Sequence, residues 1–317
     1  MQGWAQHDGR ESPFHLDNER AYQSWRRAKL ESYPRSPGDL RVVVRDLARP
    51  LAAELDGILG RCRRANMAIY ASGGAQPRNR EEEAGTRRGL AGLIAALGLG
   101  EVEQHRSAEA DGLVAIEVSQ EPAKRGFIPY TARALSWHTD GYYNAPEQAI
   151  RSMVLHCVRT ARSGGENTLV DPEIAYIRLR DANPRWVAAL MHPEAMTIPE
   201  CVEEDGRLRP ASAGPVFAVD EASGSLLTRY TARGRNIVWR NDESTAAGVA
   251  FLDYLLGKGH EPLILNYRLA PGEGIVCNNV LHARTAFEDG PAPGRLMYRA
   301  RFSRRIAGTG FNEVRIA

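Results

Sequence analysis

The segment Leu135-Ser-Trp-His-Thr-Asp-Gly141 sets an imidazole, His138, two residues before a carboxylate, Asp140. On a β-strand, residues i and i+2 point to the same face, so the two side chains can reach one metal ion. The bare pattern is not specific. His15-Leu-Asp17 repeats it, and His192-Pro-Glu194 gives a looser form. The first sits at a helix start, where Asp17 has a capping job. The second follows a helix and contains Pro, which suits a turn better than a strand.

A further imidazole, His282, lies in Cys277-Asn-Asn-Val-Leu-His-Ala-Arg284, just after an expected strand. Two imidazoles and one carboxylate with open coordination positions suit non-haem iron(II), and they also suit catalytic zinc. After His282 comes Arg295-Leu-Met-Tyr-Arg-Ala-Arg301, which alternates cleanly. Leu296, Tyr298, Ala300 and Phe302 fall on one strand face; Arg295, Met297, Arg299 and Arg301 fall on the other. Such a basic face is either solvated or lines a charged site.

The elements that must hold these residues are β-rich. After about residue 113, short strands are expected at 113–118, 152–159, 168–170, 215–219, 225–230, 263–267, 274–277 and 295–303. Helices interrupt them at 171–180, 185–191 and 242–256. Before that point the chain reads as a loose arm over 1–16, a helix capped by Asp17 and running to Tyr33, a strand over 41–47 and a helix over 51–67. A polar, turn-rich loop follows at about 71–87, a candidate lid, and then a helix over 88–97. The expected fold is mostly β with helical insertions. An N-terminal support region, 1–110, packs on a catalytic core, 111–317, as one integrated domain.

Composition excludes several classes. Over 317 residues the formal net charge is only +2, which gives no electrostatic case for nucleic acid or a membrane surface. The cysteines, Cys62, Cys157, Cys201 and Cys277, are far apart and form no CxxC, so each reads as a small buried residue. No apolar run reaches the roughly 18 residues that span a bilayer. The polar, acid-bearing start is unlike a secretory signal. The expectation is a cytoplasmic protein with a small-molecule partner. Homo-oligomerisation is left open.

Four segments taken together, Trp137-His-Thr-Asp-Gly141, Gly164-Gly-Glu-Asn-Thr168, Asn279-x-x-His282-x-Arg284 and Arg295-x-Met-x-Arg299, resemble the taurine dioxygenase (TauD/TfdA-like) family. The resemblance covers roughly residues 110–304. It implies a double-stranded β-helix, or jelly roll, and an oxygenase that uses Fe(II), 2-oxoglutarate and O2 to oxidise a substrate C–H bond, releasing succinate and CO2. It implies that His138, Asp140 and His282 bind iron. It also implies that Arg295 binds the distal carboxylate of 2-oxoglutarate, a task suited to a planar guanidinium fork. Thr168 matches the family's assisting threonine, although the stretch after Gly164-Gly165 is one residue longer than the family's form. Asn279 is placed to orient the iron ligand or the cofactor, and Arg299 to meet an anionic substrate. A zinc hydrolase using the same triad gives Arg295 and Arg299 no role. A non-catalytic anion-binding β protein would predict a broken triad, and here the triad is intact.

Overall fold

The computed structural model describes residues 12–74, 76–103, 108–121, 124, 127–202, 206, 208–257, 259–291 and 293–314. Its two main sheets are built from β1 (Arg41–Val43), β2 (Met67–Ala71), β3 (Val114–Ile116), β4 (Leu135–His138), β5 (Ser152–Arg159), β6 (Asn167–Val170), β7 (Leu265–Tyr267), β8 (Glu273–Cys277), β9 (Leu281–Arg284) and β10 (Leu296–Phe302). A six-stranded sheet runs β1-β2-β8-β5-β10-β3, and a four-stranded sheet runs β7-β6-β9-β4. The longer helices are α1 (Glu19–Ser32), α2 (Ala52–Ala65), α3 (Arg80–Ala96), α4 (Pro172–Ala182), α5 (Pro184–Leu190) and α6 (Glu243–Leu255). The architecture is thus a β core with helical insertions.

One apolar core joins the two sheets. Met153, Ile275 and Met297 of the larger sheet meet Leu169, Leu265 and Leu281 of the smaller one, with Ile174 and Tyr176 of α4 alongside. A second core lies on the other face of the larger sheet. There Leu296, Tyr298, Ala300 and Phe302 pack with Ile58 of α2 and Leu90 and Leu93 of α3. Burying each such side chain stabilises the fold by about 1.5–3 kcal/mol. β10 therefore has a greasy face against helices and a basic face turned into the molecule. The solvated reading of its arginines does not hold: Arg295 and Arg301 are buried.

The N-terminal part differs from the expected pattern in several places. Of the loose arm expected over 1–16, residues 1–11 lie outside the described residues, and Phe14 is buried in the core. Asn18, not Asp17, caps α1, accepting the Ala21 N–H at 3.2 Å. The helix expected over 51–67 ends at Ala65, where Asn66 adopts a left-handed conformation (φ 56°). Met67–Ala71 is then a strand of the larger sheet. Met67 and Ile69 enter one core while Ala68 and Tyr70 enter the other, so both faces are buried and no polar–apolar alternation marks it. Finally, α3 begins at Arg80, capped by the Asn79 side chain on Glu82 N–H at 2.9 Å. Half of the expected loop over 71–87 is helix, which confines any lid to the residues before it.

Candidate metal centre

β9 pairs antiparallel with β4 in a register that sets His282 directly opposite His138. Opposed residues share a sheet face, and the two imidazoles lie with ring centroids 4.2 Å apart. In each ring Nδ1 faces a carbonyl two residues back: Ser136 O at 2.8 Å for His138, and Val280 O at 2.9 Å for His282. A carbonyl can only accept, so Nδ1 carries the proton and Nε2 keeps its lone pair. Burial, reinforced by the neighbouring His282, pushes His138 down to about 3, and burial also lowers His282. Both are neutral at ordinary pH, the form a metal ion requires.

Asp140 is not on the strand. β4 stops at His138, and Asp140 lies in the turn that follows. Strand periodicity therefore does not aim it; Asn279 does. The Asn279 Oδ1 accepts the Asp140 N–H at 2.8 Å, and its Nδ2 donates to Asp140 O at 3.0 Å and Ile150 O at 2.7 Å. Asn279 is itself buried and left-handed, at φ 50°. In the Asp140 carboxylate, Oδ1 accepts from Arg299 Nη1 at 3.1 Å, with Arg301 Nη1 3.9 Å away. Oδ2 is buried and has no hydrogen-bond partner. Burial alone would raise this carboxyl, but Arg299 and Arg301 outweigh it and hold it below the usual carboxylate range.

One ligand atom from each of His138, Asp140 and His282 lies within 4.8 Å of the others, and this is the one such group among the described residues. Two neutral imidazoles and a bare carboxylate oxygen fit a divalent transition metal such as iron(II). The competing patterns do not assemble. His192 Nδ1 accepts the Glu194 N–H at 3.1 Å in a turn, and His15 joins no cluster.

Beside the triad opens a cleft walled by Asn167, His282, Arg284, Arg295 and Arg299 among others. Arg295 is buried, and none of its side-chain N–H groups is hydrogen-bonded among the described residues. Its guanidinium carbon sits 5.1 Å from the Phe287 ring centroid. Gly165, at φ 72°, passes so close that a Cβ there would lie 3.3 Å from Arg295 Nε. Burial lowers Arg295, with Arg268 nearby acting in the same direction.

The strand register relocates one expected residue. Leu169 pairs with His282, Thr168 with Ala283, and Asn167 with Arg284. Asn167 thus shares the inner face with His282, while Thr168 points to the other side with exposed Asn266. Counting from Gly164-Gly165 would have selected Asn167. Arg284, also unassigned from sequence, reaches the carbonyls of Thr131 at 2.8 Å and Arg133 at 2.6 Å. It braces the segment before β4.

Comparison with known proteins agrees with this geometry. The family described as "Taurine catabolism dioxygenase TauD, TfdA family" matches residues 76–301. The chain belongs to that family. This TauD/TfdA member is 32% identical over 197 residues to a uridine-5'-phosphate dioxygenase of Amycolatopsis sp, a match spanning 59% of this chain and 67% of that protein. It is 28% identical over 182 residues to a Streptomyces sp protein of the same name, spanning 54% and 62%. Its fold matches asparagine oxygenase in complex with Fe(II), 2S,3S-3-hydroxyasparagine and succinate (TM-score 0.53, 17% identity, 83% of this chain and 93% of that one). It also matches the non-haem iron oxygenase OrfP with Fe and alpha-ketoglutaric acid (TM-score 0.57, 15% identity, 81% of each chain). The TauD/TfdA chain is accordingly a 2-oxoglutarate-dependent non-haem iron dioxygenase acting on a small substrate. The zinc-hydrolase and non-catalytic alternatives fall away. No helix among the described residues is long and apolar enough to cross a membrane.

Proposed function

We propose that this dioxygenase oxidises a C–H bond of a small anionic substrate, with a nucleoside 5'-phosphate as the class to test first. The observation that carries the reading is the cavity wall. Arg284, Arg295 and Arg299 line it together with His282, and Asp140 is the nearby acid. Iron(II) and doubly charged 2-oxoglutarate cancel each other, so the walls keep an excess of positive charge for a second anion. The names of the two curated relatives supply the candidate, uridine 5'-phosphate. In this reading the two sheets form a double-stranded β-helix that encloses the site, as the single apolar core shared between them supports.

His138, Asp140 and His282 hold the metal. Bound iron supplies the redox chemistry that couples loss of CO2 from 2-oxoglutarate to oxidation of the substrate. Arg295 receives the distal carboxylate, because it is buried and has free N–H groups in a fork that a carboxylate matches. Asn167, on the same inner face, donates its amide alongside. Asn279 fixes the backbone of Asp140. The apolar side chains of Met153, Leu155 and Met297 keep water from the reacting C–H.

The test is succinate formation by the iron-loaded protein with 2-oxoglutarate and either uridine 5'-phosphate or uridine. Stimulation by the nucleotide and not by the nucleoside is the expected result. Equal stimulation by neutral uridine would remove the role given to charge, and stimulation only by an uncharged or amino-acid substrate would overturn the substrate class.

A further inference from the structure

Asn279 fixes the Asp140 peptide, but it leaves the carboxylate free to rotate. A carboxylate offers two oxygens, and a turn residue can present either one, or both, to a metal. Here the two oxygens have unequal surroundings. Oδ1 is occupied by Arg299 Nη1 at 3.1 Å, with Arg301 Nη1 at 3.9 Å behind it. Oδ2 is buried and bare. Arg301 cannot easily leave, because its Nη1 also donates to Tyr143 Oη at 3.0 Å and its Nη2 pairs with Glu103 at 2.5 Å. Both arginines are on β10, whose other face is locked into the apolar core by Tyr298, Ala300 and Phe302. The guanidinium groups thus stand on a rigid element, while the ligand they touch stands on a turn.

We infer that Arg299, backed by Arg301, is a positioning residue for the metal ligand: it holds Oδ1 of Asp140, which also lies 3.9 Å from His138 Nε2, and so fixes the rotation of the carboxylate beside the imidazoles. This rests on the reading of His138, Asp140 and His282 as the iron site. It changes what the β10 arginines are for. Arg295 faces the co-substrate, whereas Arg299 serves the metal through Asp140 and only secondarily the organic substrate. Partners that orient a ligating carboxylate typically change metal affinity 10- to 100-fold when removed.

The experiment is an anaerobic Co(II) titration of wild type, Arg299→Gln and Arg299→Lys, followed by visible absorption and with the thermal midpoint of each metal-free protein measured. Arg299→Gln is expected to bind Co(II) about 10- to 100-fold more weakly, with an altered spectrum and a nearly unchanged metal-free midpoint. Arg299→Lys keeps the charge and is expected to recover part of the affinity. If Arg299→Gln does not fold, the lysine variant carries the test, with an altered Co(II) spectrum expected. Wild-type affinity and spectrum in the folded variants, with a raised KM for the organic substrate alone, would overturn the inference and return Arg299 to the substrate. Failure of wild type to bind Co(II) would instead remove the iron-site reading, and this inference with it.

Discussion

Two clusters of charge are buried in this protein, and they are built oppositely. In the first, Lys29 of α1 reaches Asp171 at 2.6 Å and Glu173 at 2.5 Å, and the Asn66 amide adds bonds to both Asp171 oxygens at 3.0 and 3.1 Å. Burial disfavours the Lys29 charge, but the two acids outweigh it and raise its pKa. Charges there are closed on one another. In the second, Asp140 keeps one bare oxygen, His138 and His282 keep Nε2 lone pairs, and no side-chain hydrogen bond ties down Arg295 among the described residues. Leaving buried polar groups unmatched costs stability, so an arrangement with several of them at one place is waiting for guests. The closed cluster holds the N-terminal helix to the core; the open one is the site proposed for a metal and a dicarboxylate.

The contrast can be broken most sharply by removing one member of each cluster. His138→Ala is expected to lose metal binding and reduce succinate formation to background, with little loss of stability in the metal-free protein. Metal stoichiometry and thermal melting check it. Lys29→Met is expected to do the reverse. Stranding two buried carboxylates costs about 3–5 kcal/mol of stability, measurable by denaturant unfolding, while the folded fraction keeps wild-type Co(II) affinity. If Lys29→Met lowers metal affinity as much as it lowers stability, the clusters are not independent.

Arg295→Ala tests the open cluster from its other end. The 2-oxoglutarate concentration needed for half-maximal turnover is expected to rise by roughly two to three orders of magnitude, as for any buried carboxylate that loses its charged partner. Arg295→Lys is expected to recover only part. An unchanged requirement in Arg295→Ala would move the co-substrate elsewhere in the cavity.

His156 lies between the two designs: buried, uncharged, and joined to Tyr70 Oη at 3.1 Å through Nδ1. Burial pushes its pKa down to about 4 from an ordinary 6.5. Between those values the unfolded chain binds a proton that the native state refuses. Stability is therefore full above pH 6.5 and falls as pH drops toward 4, by up to about 3 kcal/mol. His156→Gln is expected to flatten that part of the profile. An unaltered pH dependence in the variant would assign the acid sensitivity to other groups.

The smallest effect separates neighbours on β6. Asn167→Ala is expected to weaken 2-oxoglutarate binding about tenfold, the worth of a hydrogen bond to a charged group. Thr168→Ala, on the opposite face, is expected to leave it unchanged. A reversed order would mean that the strand register places them otherwise.

Much of the candidate site was legible because the chemistry proposed for it rests on residue types with few other uses at that spacing. His138, Asp140, His282 and the alternation of β10 were readable before any fold was known. What could not be read were features that depend on cross-strand register or a single turn. The choice between Asn167 and Thr168 is one residue of register, and register is set by pairing with β9. Asp140 was expected on a strand that ends two residues earlier, and only the Asn279 contact shows what replaces it. β2 was hidden because burial on both faces erases its period. The start of α3 was hidden because Arg80-Glu-Glu-Glu reads as loop until Asn79 is seen to cap it.

The open cluster is proposed to run iron-dependent oxidation and not metal-assisted hydrolysis. Both Fe(II) and Zn(II) can occupy two imidazoles and a carboxylate, but only iron can cycle its oxidation state. The decisive measurement is succinate produced from 2-oxoglutarate under air by protein loaded with Fe(II), against the same protein loaded with Zn(II) and shown to be iron-free. Repeated turnover is expected in the iron form and none in the zinc form. Sustained turnover by the iron-free zinc form would contradict the proposal.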